Sequence, residues 1–162
     1  MPVLVTCRNG WFSLSLGGKT HCYYVMPAEQ YNKTRTSTSI HITEACNKQY
    51  PFAHAASIHS KEEETAIADS KWKQIGWDGI VIGMKPTGSN NKDSNMWKWV
   101  DGSIMDFRNF PEKEWNTSFC TADFYANEHQ KCGHMTFFFE AGWYCCDWNF
   151  FIKSLLCKYT LP

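Results

Sequence analysis

Apolar residues in the first part of the chain alternate with polar ones at short range instead of recurring every three or four positions. From Cys7 to Met26 the pattern predicts a hairpin. Trp11, Phe12, Leu14 and Leu16 fall in one arm, Gly17-Gly18 supplies a turn that needs positive φ, and Cys22-Tyr23-Tyr24-Val25 returns. Ser37 to Gln49 predicts a first helix with a modest stripe of Ile40, Ile42, Ala45 and Cys46, stopped by Pro51. Ala55 to His59 reads as a short extended link. Ser60 with Glu63 three residues on is a capping box and marks the start of a second helix. Glu62, Glu63 and Glu64 fall in its first turn, where the helix macrodipole favours carboxylates, so the acidic run needs neither a metal nor catalysis to explain it.

From Ile80 on, helical periodicity disappears. Ile80-Val81-Ile82-Gly83-Met84 is a short apolar run with β-branched residues and predicts one buried strand. Lys85 to Asn95, rich in Gly, Ser and Asn, predicts a surface loop, and Trp97-Lys98-Trp99-Val100-Asp101-Gly102 closes on an Asp-Gly turn. Asp106 to Lys131 carries little pattern, and connections of that length inside a domain are usually functional. Gly133 to Phe139, Gly142 to Cys146 and Ser154 to Tyr159 predict closing strands. There is no internal repeat and no interdomain linker. The 162 residues fit an N-terminal tail over 1–6 and a single domain over 7–162.

Charge and cysteine content narrow the function classes. Lys+Arg and Asp+Glu balance at 16 each, so no long-range field draws in nucleic acid or an anionic membrane. Eight cysteines spread from Cys7 to Cys157, with no Cys-x-x-Cys pair, favour disulfides in an oxidising compartment over zinc, and leave the connectivity open. Met1 to Thr6 is too short for a signal peptide, and no apolar stretch approaches the roughly 18 residues of a membrane span. A mature secreted, extracellular form without membrane insertion is expected. The sequons at Asn32 and Asn116 agree with it as glycosylation candidates.

Catalytic motifs are sparse. His54 and His59 lie near Glu62 to Glu64 but lack the helical His-Glu-x-x-His spacing, so a zinc hydrolase would need these residues to converge by folding. No Gly-x-Ser-x-Gly elbow and no phosphate-cradling glycine loop occurs. A non-enzymatic protein is expected.

Taken together, the ordered elements resemble the C-type lectin-like domain in its long form. Cys7, Trp11 and Cys22-Tyr23 resemble its opening hairpin, and Cys46 its first-helix cysteine. Ala56-Ser57-Ile58-His59-Ser60 with Glu63 is similar to the segment entering its second helix. Ile82-Gly83-Met84 resembles its Ile-Gly-Leu strand, Trp97-x-Trp99-x-Asp101-Gly102 its tryptophan turn, and Leu156-Cys157-Lys158 its closing strand. The extra cysteine pair is similar in style to invertebrate, nematode-type members. The resemblance implies an α+β fold, with two helices flanking mainly antiparallel sheets and a long projecting loop that forms the ligand surface.

The same resemblance implies disulfides Cys7–Cys22 and Cys46–Cys157, the latter closing a loop worth roughly 4 to 5 kcal/mol of chain entropy. It further implies Cys132–Cys146 with Cys120–Cys145, although Cys145 and Cys146 are interchangeable as partners on the sequence alone.

Sugar-binding members hold Ca²⁺ with a Glu-Pro-Asn or Gln-Pro-Asp triplet, a Glu before the third core cysteine, and an Asn-Asp pair after a Trp. In this chain those places carry Glu114-Trp115-Asn116, Gln130 with Glu128 nearby, and Trp143-Tyr144-Cys145. Trp115 replaces a cis-proline, and a cis bond costs roughly 2.5 to 4 kcal/mol before a residue other than proline, against about 0.5 to 1 before proline. Asp147 and Asn149 lie past the expected pair. Calcium needs a full oxygen shell, so no cofactor is expected. A surviving Ca²⁺ site would use Glu114, Asn116 and Glu128 and make the chain a calcium-dependent carbohydrate-binding lectin with a reshaped site. Otherwise the loop is expected to bind an extracellular protein or glycan through Glu114, Trp115, Asn116, Phe119 and Tyr125, with Trp115 as an exposed anchor. For any one aromatic, Phe110 and Phe124 included, the alternative is that it fills the loop's own core.

Overall fold

A computed structural model of the protein describes residues 5–31, 39–76, 79–86, 97–110, 134–139, 142–146 and 154–162. In chain order its strands are β1 (Phe12–Leu16), β2 (Lys19–Met26), β3 (His54–Ala55), β4 (Ile80–Ile82), β5 (Met84–Pro86), β6 (Trp97–Trp99), β7 (His134–Phe138), β8 (Gly142–Cys146) and β9 (Ser154–Thr160). Its helices are α1 (Ala28–Tyr31), α2 (Ser39–Gln49) and α3 (Lys61–Ile75). The single turn α1 was not expected from the sequence. Among the described residues no helix is long and apolar enough to cross a membrane.

The opening hairpin closes on Leu16 opposite Lys19, with Gly17 and Gly18 at φ of 57° and 77°. Two successive left-handed residues match the twist of the flanking strands, and only glycine adopts them without strain. β2 then pairs with β9, and the main sheet runs β1-β2-β9-β4-β7-β8, with β3 also on β9. β4 is parallel to β9, while the other described pairs are antiparallel. The fold is therefore α+β with mainly antiparallel sheets.

Period-two alternation divides the central strands between two cores. Tyr23, Val25, Ile80, Ile82 and Leu156 face one cluster, which takes Ile67 and Ile75 from α3. Cys22, Met26, Val81, Leu155 and Cys157 face the other, which takes Ile42, Ala45 and Cys46 from α2. A sheet covered on both faces requires strands apolar throughout, and Ile80-Val81-Ile82 is that pattern. Disulfides Cys7–Cys22 and Cys46–Cys157 join the hairpin to its lead-in and α2 to β9. The pairings expected for Cys120 and Cys132 fall outside the described residues.

One predicted strand proves to be two. The run Ile80 to Met84 divides at Gly83, and Met84 leaves the main sheet to pair with Trp99 in the separate β5–β6 ribbon. Gly83 makes the change possible because Ala55 crosses directly over it. A Cβ on Gly83 would sit 2.2 Å from the Ala55 carbonyl oxygen. The Gly83 N–H donates to Ala56 O at 2.8 Å, and its carbonyl accepts from Val100 N–H at 2.8 Å.

Helix α3 begins as the sequence predicts but with a different back-bond. Ser60 is the N-cap, and its hydroxyl accepts from Glu63 N–H at 3.0 Å. Glu63 Oε2 returns to His59 N–H at 2.8 Å, one residue before the cap. The acidic run also differs from a solvated first turn. Glu62 is exposed, but Glu63 and Glu64 are buried. Charges are not buried without partners, and both have them.

Candidate functional site

Glu114, Trp115, Asn116, Phe119, Tyr125 and Glu128 lie outside the described residues. So do Asn32, Cys120, Phe124, Gln130, Cys132, Asp147 and Asn149. The structure describes the base on which the segment between Phe110 and His134 is mounted.

That base is aromatic on one side. The Trp143 ring is fully buried and meets Trp99, Phe107 and Phe110 edge-on at centroid distances of 5.3, 5.6 and 5.5 Å. Phe110 is thus partly committed to the core as the chain departs. Asn109 fixes the departure point. Its carbonyl accepts from Trp143 N–H at 2.8 Å, and its amide donates to Glu64 Oε1 at 2.5 Å. Gly142 lies close beneath, where a Cβ would approach Asn109 O to 2.7 Å. One asparagine therefore ties the outgoing chain to both β8 and α3. This tethering role is not legible in the sequence, because its partners are 34 or more residues away.

Tyr144 follows Trp143 where the resemblance places the calcium-binding amide. Its side chain is buried and edge-on to Phe138 at 5.7 Å. Burial pushes its phenol above the ordinary tyrosine value. The position is thus built as core on β8.

A polar chain braces the tryptophan turn on the other side. Asp101 Oδ1 accepts from Ser103 N–H at 2.9 Å, and Asp101 Oδ2 accepts from the Ser57 hydroxyl at 2.6 Å. Ser57 Oγ is also 3.0 Å from His59 Nε2, whose Nδ1 is 2.7 Å from Asp106 Oδ1. Burial would raise the Asp101 carboxyl, but hydrogen bonds from Ser103 and Ser57 outweigh it and hold the group below the usual range. Ser57, His59 and Asp106 follow the order of a nucleophile, base and orienting acid. A nucleophile must meet its substrate, however, and Ser57 is 1% exposed. The chain serves as a brace between the start of α3, the tryptophan turn and the segment leading to Phe110.

His54 and His59 do not converge on one point. His54 Nδ1 is 3.6 Å from Asp101 Oδ2, whereas His59 takes Asp106. Among the described residues no group of three or more His, Cys, Asp or Glu is arranged to hold a metal ion.

The second buried cluster lies beneath. Period two puts Lys158 on the α3 face beside Leu156, and the register sets it opposite Tyr23. Lys158 Nζ donates to Glu63 Oε1 at 2.5 Å and to Ser57 O at 2.9 Å. The Tyr23 hydroxyl donates to the same Glu63 oxygen at 2.6 Å. Burial alone would raise the Glu63 carboxyl. The Lys158 charge, with hydrogen bonds from Lys158, Tyr23 and the His59 N–H, overcomes this and lowers it. Burial, then the neighbouring Glu63 charge, pushes the Tyr23 phenol far up.

No family model matches the chain. It is 28% identical over 120 residues to a lectin from Pleurodeles waltl, an alignment covering 72% of this chain and 61% of that protein. It is 29% identical over 113 residues to one chain of the snaclec coagulation factor IX/factor X-binding protein of Gloydius halys, covering 68% and 66%. The chain thus spans under two thirds of either relative's length. Among solved structures it is similar to the C-type lectin CEL-I of Cucumaria echinata, with TM-score 0.64, 17% identity and coverage of 98% and 100%. It is also similar to a calcium-independent type II antifreeze protein, with TM-score 0.57, 20% identity and coverage of 96% of each chain. With its stapled hairpin, tryptophan turn and helices α2 and α3 on opposite faces of the sheet, the chain has the C-type lectin-like fold.

Proposed function

We propose that the chain is a secreted, non-enzymatic recognition module of the long form. It binds an extracellular protein or glycan through the segment between Phe110 and His134, without the calcium site used by sugar-binding members. The observation that carries the reading is Tyr144. Where those members present an amide to Ca²⁺, this chain has a buried phenol edge-on to Phe138. Rebuilding a calcium shell there would require β8 to give up a core side chain, and a shell short of oxygens binds weakly.

Three further points support it. The matched relatives include a lectin and a protein named for binding coagulation factors IX and X, so both ligand classes occur on similar chains. A calcium-independent member also exists among the similar structures. Asn109 and Phe110 give the loop a fixed foot, as a binding surface mounted on a rigid scaffold requires. Glu114, Trp115, Asn116, Phe119 and Tyr125 are the contact residues in this reading, with Trp115 as the anchor.

Calorimetric titration with Ca²⁺, together with retention on mannose and galactose resins with and without chelator, tests the proposal. No calcium heat and no chelator-sensitive retention are expected. Calcium-reversible retention, lost in Glu114→Gln or Glu128→Gln, would replace it with a calcium-dependent lectin.

A further inference from the structure

Two Asx-Gly pairs lie wholly within the described residues, Asn9-Gly10 ahead of β1 and Asp101-Gly102 in the tryptophan turn. Such pairs share one reaction, in which the glycine main-chain nitrogen, unshielded by a side chain of its own, closes on the γ-carbon of the residue before it. The structure treats the two pairs differently. Asp101 accepts from Ser103 and Ser57, and the Gly102 N–H donates to Trp99 O at 3.2 Å, so electrophile and nucleophile are both occupied. Asn9 and Gly10 are both exposed, and neither the Asn9 amide nor the Gly10 N–H has a hydrogen-bond partner among the described residues. A Cβ built on Gly10 meets nothing within 4 Å, so no neighbour crowds the approach. Asn47 and Asn109 are again unlike Asn9. Their amides donate to Pro51 O and Glu64 Oε1, and Lys48 and Phe110 follow them in place of glycine.

We propose that Asn9 is a site of spontaneous modification to isoaspartate. Gly10 N bonds to Asn9 Cγ, the Cγ–Nδ2 bond breaks, and the amide nitrogen leaves as ammonia with the proton from Gly10 N. Water then opens the cyclic imide. Addition at the side-chain carbonyl yields aspartate, and addition at the main-chain carbonyl yields isoaspartate, in which the chain continues through Cβ. No oxidant, reductant or cofactor takes part. The position matters because the lead-in to the hairpin is pinned there to the closing strand. Arg8 O accepts from Trp11 N–H at 3.0 Å across the turn, with Gly10 at φ of 87°, and Arg8 N–H donates to the Tyr159 hydroxyl at 2.9 Å. The Trp11 ring packs on Tyr24 and Tyr159 at 5.3 and 5.0 Å. Isoaspartate lengthens this turn by a main-chain atom and adds a carboxylate, which breaks the turn bond and frees Arg8 from Tyr159. The modification is thus a slow release of the lead-in, which the Cys7–Cys22 disulfide keeps attached.

The test is ageing of the full chain, disulfides intact, in ¹⁸O-labelled water at neutral and mildly alkaline pH, followed by peptic mapping in acid. Labelled aspartate and isoaspartate are expected at position 9, faster at the higher pH, while Asn47 and Asn109 stay intact. Asn9→Gln should abolish the product, and Gly10→Ala should slow it. Amide exchange then reads the structural effect: Arg8 and Trp11 should lose protection in the isoaspartate fraction. Asn9→Asp, made directly, adds the charge without rerouting the main chain and should keep that protection. An unmodified Asn9, equal conversion of Asn47 or Asn109, or Arg8 and Trp11 amides still protected in the isoaspartate fraction would overturn the proposal.

Discussion

Lys158 and Glu63 meet at 2.5 Å with each side chain only 4% exposed, joining the closing strand to the first turn of α3 across 95 residues of sequence. Burial takes both charges out of bulk solvent. Each depends on the other and on Tyr23, Ser57 and His59.

Lys158→Met should therefore cost about 3 to 5 kcal/mol, because it strands the Glu63 carboxylate in the core. The double variant Glu63→Gln/Lys158→Met should recover most of that loss, since it removes both charges. Chemical denaturation of the two variants checks this. Equal stability of the single and double variants would show that packing, not the stranded charge, dominates.

The same pair sets an acid limit. Glu63 titrates lower in the folded chain than in the unfolded one, so its contribution is fully present above the ordinary carboxylate range, near pH 4. It is lost as pH falls through the lower folded value, and Asp101 acts in the same direction. Thermal unfolding from pH 7 to pH 2 should show a steeper acid loss for the natural chain than for Glu63→Gln/Lys158→Met.

Gly83→Ala should be among the most damaging single-methyl additions. Its Cβ would lie 2.2 Å from a backbone oxygen that cannot rotate away, so a loss beyond about 3 kcal/mol or failure to fold is expected. Gly10→Ala provides the contrast. Gly10 has φ of 87° with nothing within 4 Å, so only backbone strain of about 1 to 2 kcal/mol applies. Denaturant midpoints of the two variants should rank accordingly.

Trp143→Phe should be far milder than Trp143→Ala. The indole N–H has no hydrogen-bond partner among the described residues, so the phenyl ring sacrifices volume and no bond. Losses of under about 2 kcal/mol for Phe against about 3 to 5 for Ala are expected from unfolding curves. A Phe variant as unstable as the Ala variant would point to a role for the N–H.

These energetics also show what a linear reading reaches. Gly17-Gly18 and the Ser60 cap are local devices, and the sequence displayed both. Glu63 and Glu64 read in the sequence as first-turn carboxylates facing the helix macrodipole, and their partners Lys158 and Asn109 stay hidden because they are distant in the chain. The division at Gly83 was hidden for the same reason, since the obstruction comes from Ala55. At the base of the candidate site, Trp143 was recognisable by its motif, whereas Asn109 acquires its role only when β8 and α3 come together. Glu114 to Glu128 carry no regular periodicity, so their expected chemistry rests on the family resemblance alone and the pattern leaves their arrangement open.

Strand β9 lies between β2 and β4 at the middle of the main sheet, and its Cys157 and Lys158 each anchor a different helix. Synthesis therefore produces the hairpin and both helices before the strand that gives them a common partner. Neither core closes until residues 154–160 have left the ribosome. The nascent chain meanwhile holds unpaired cysteines and open sheet edges, so its yield should depend on chaperones and disulfide exchange more than its final stability suggests.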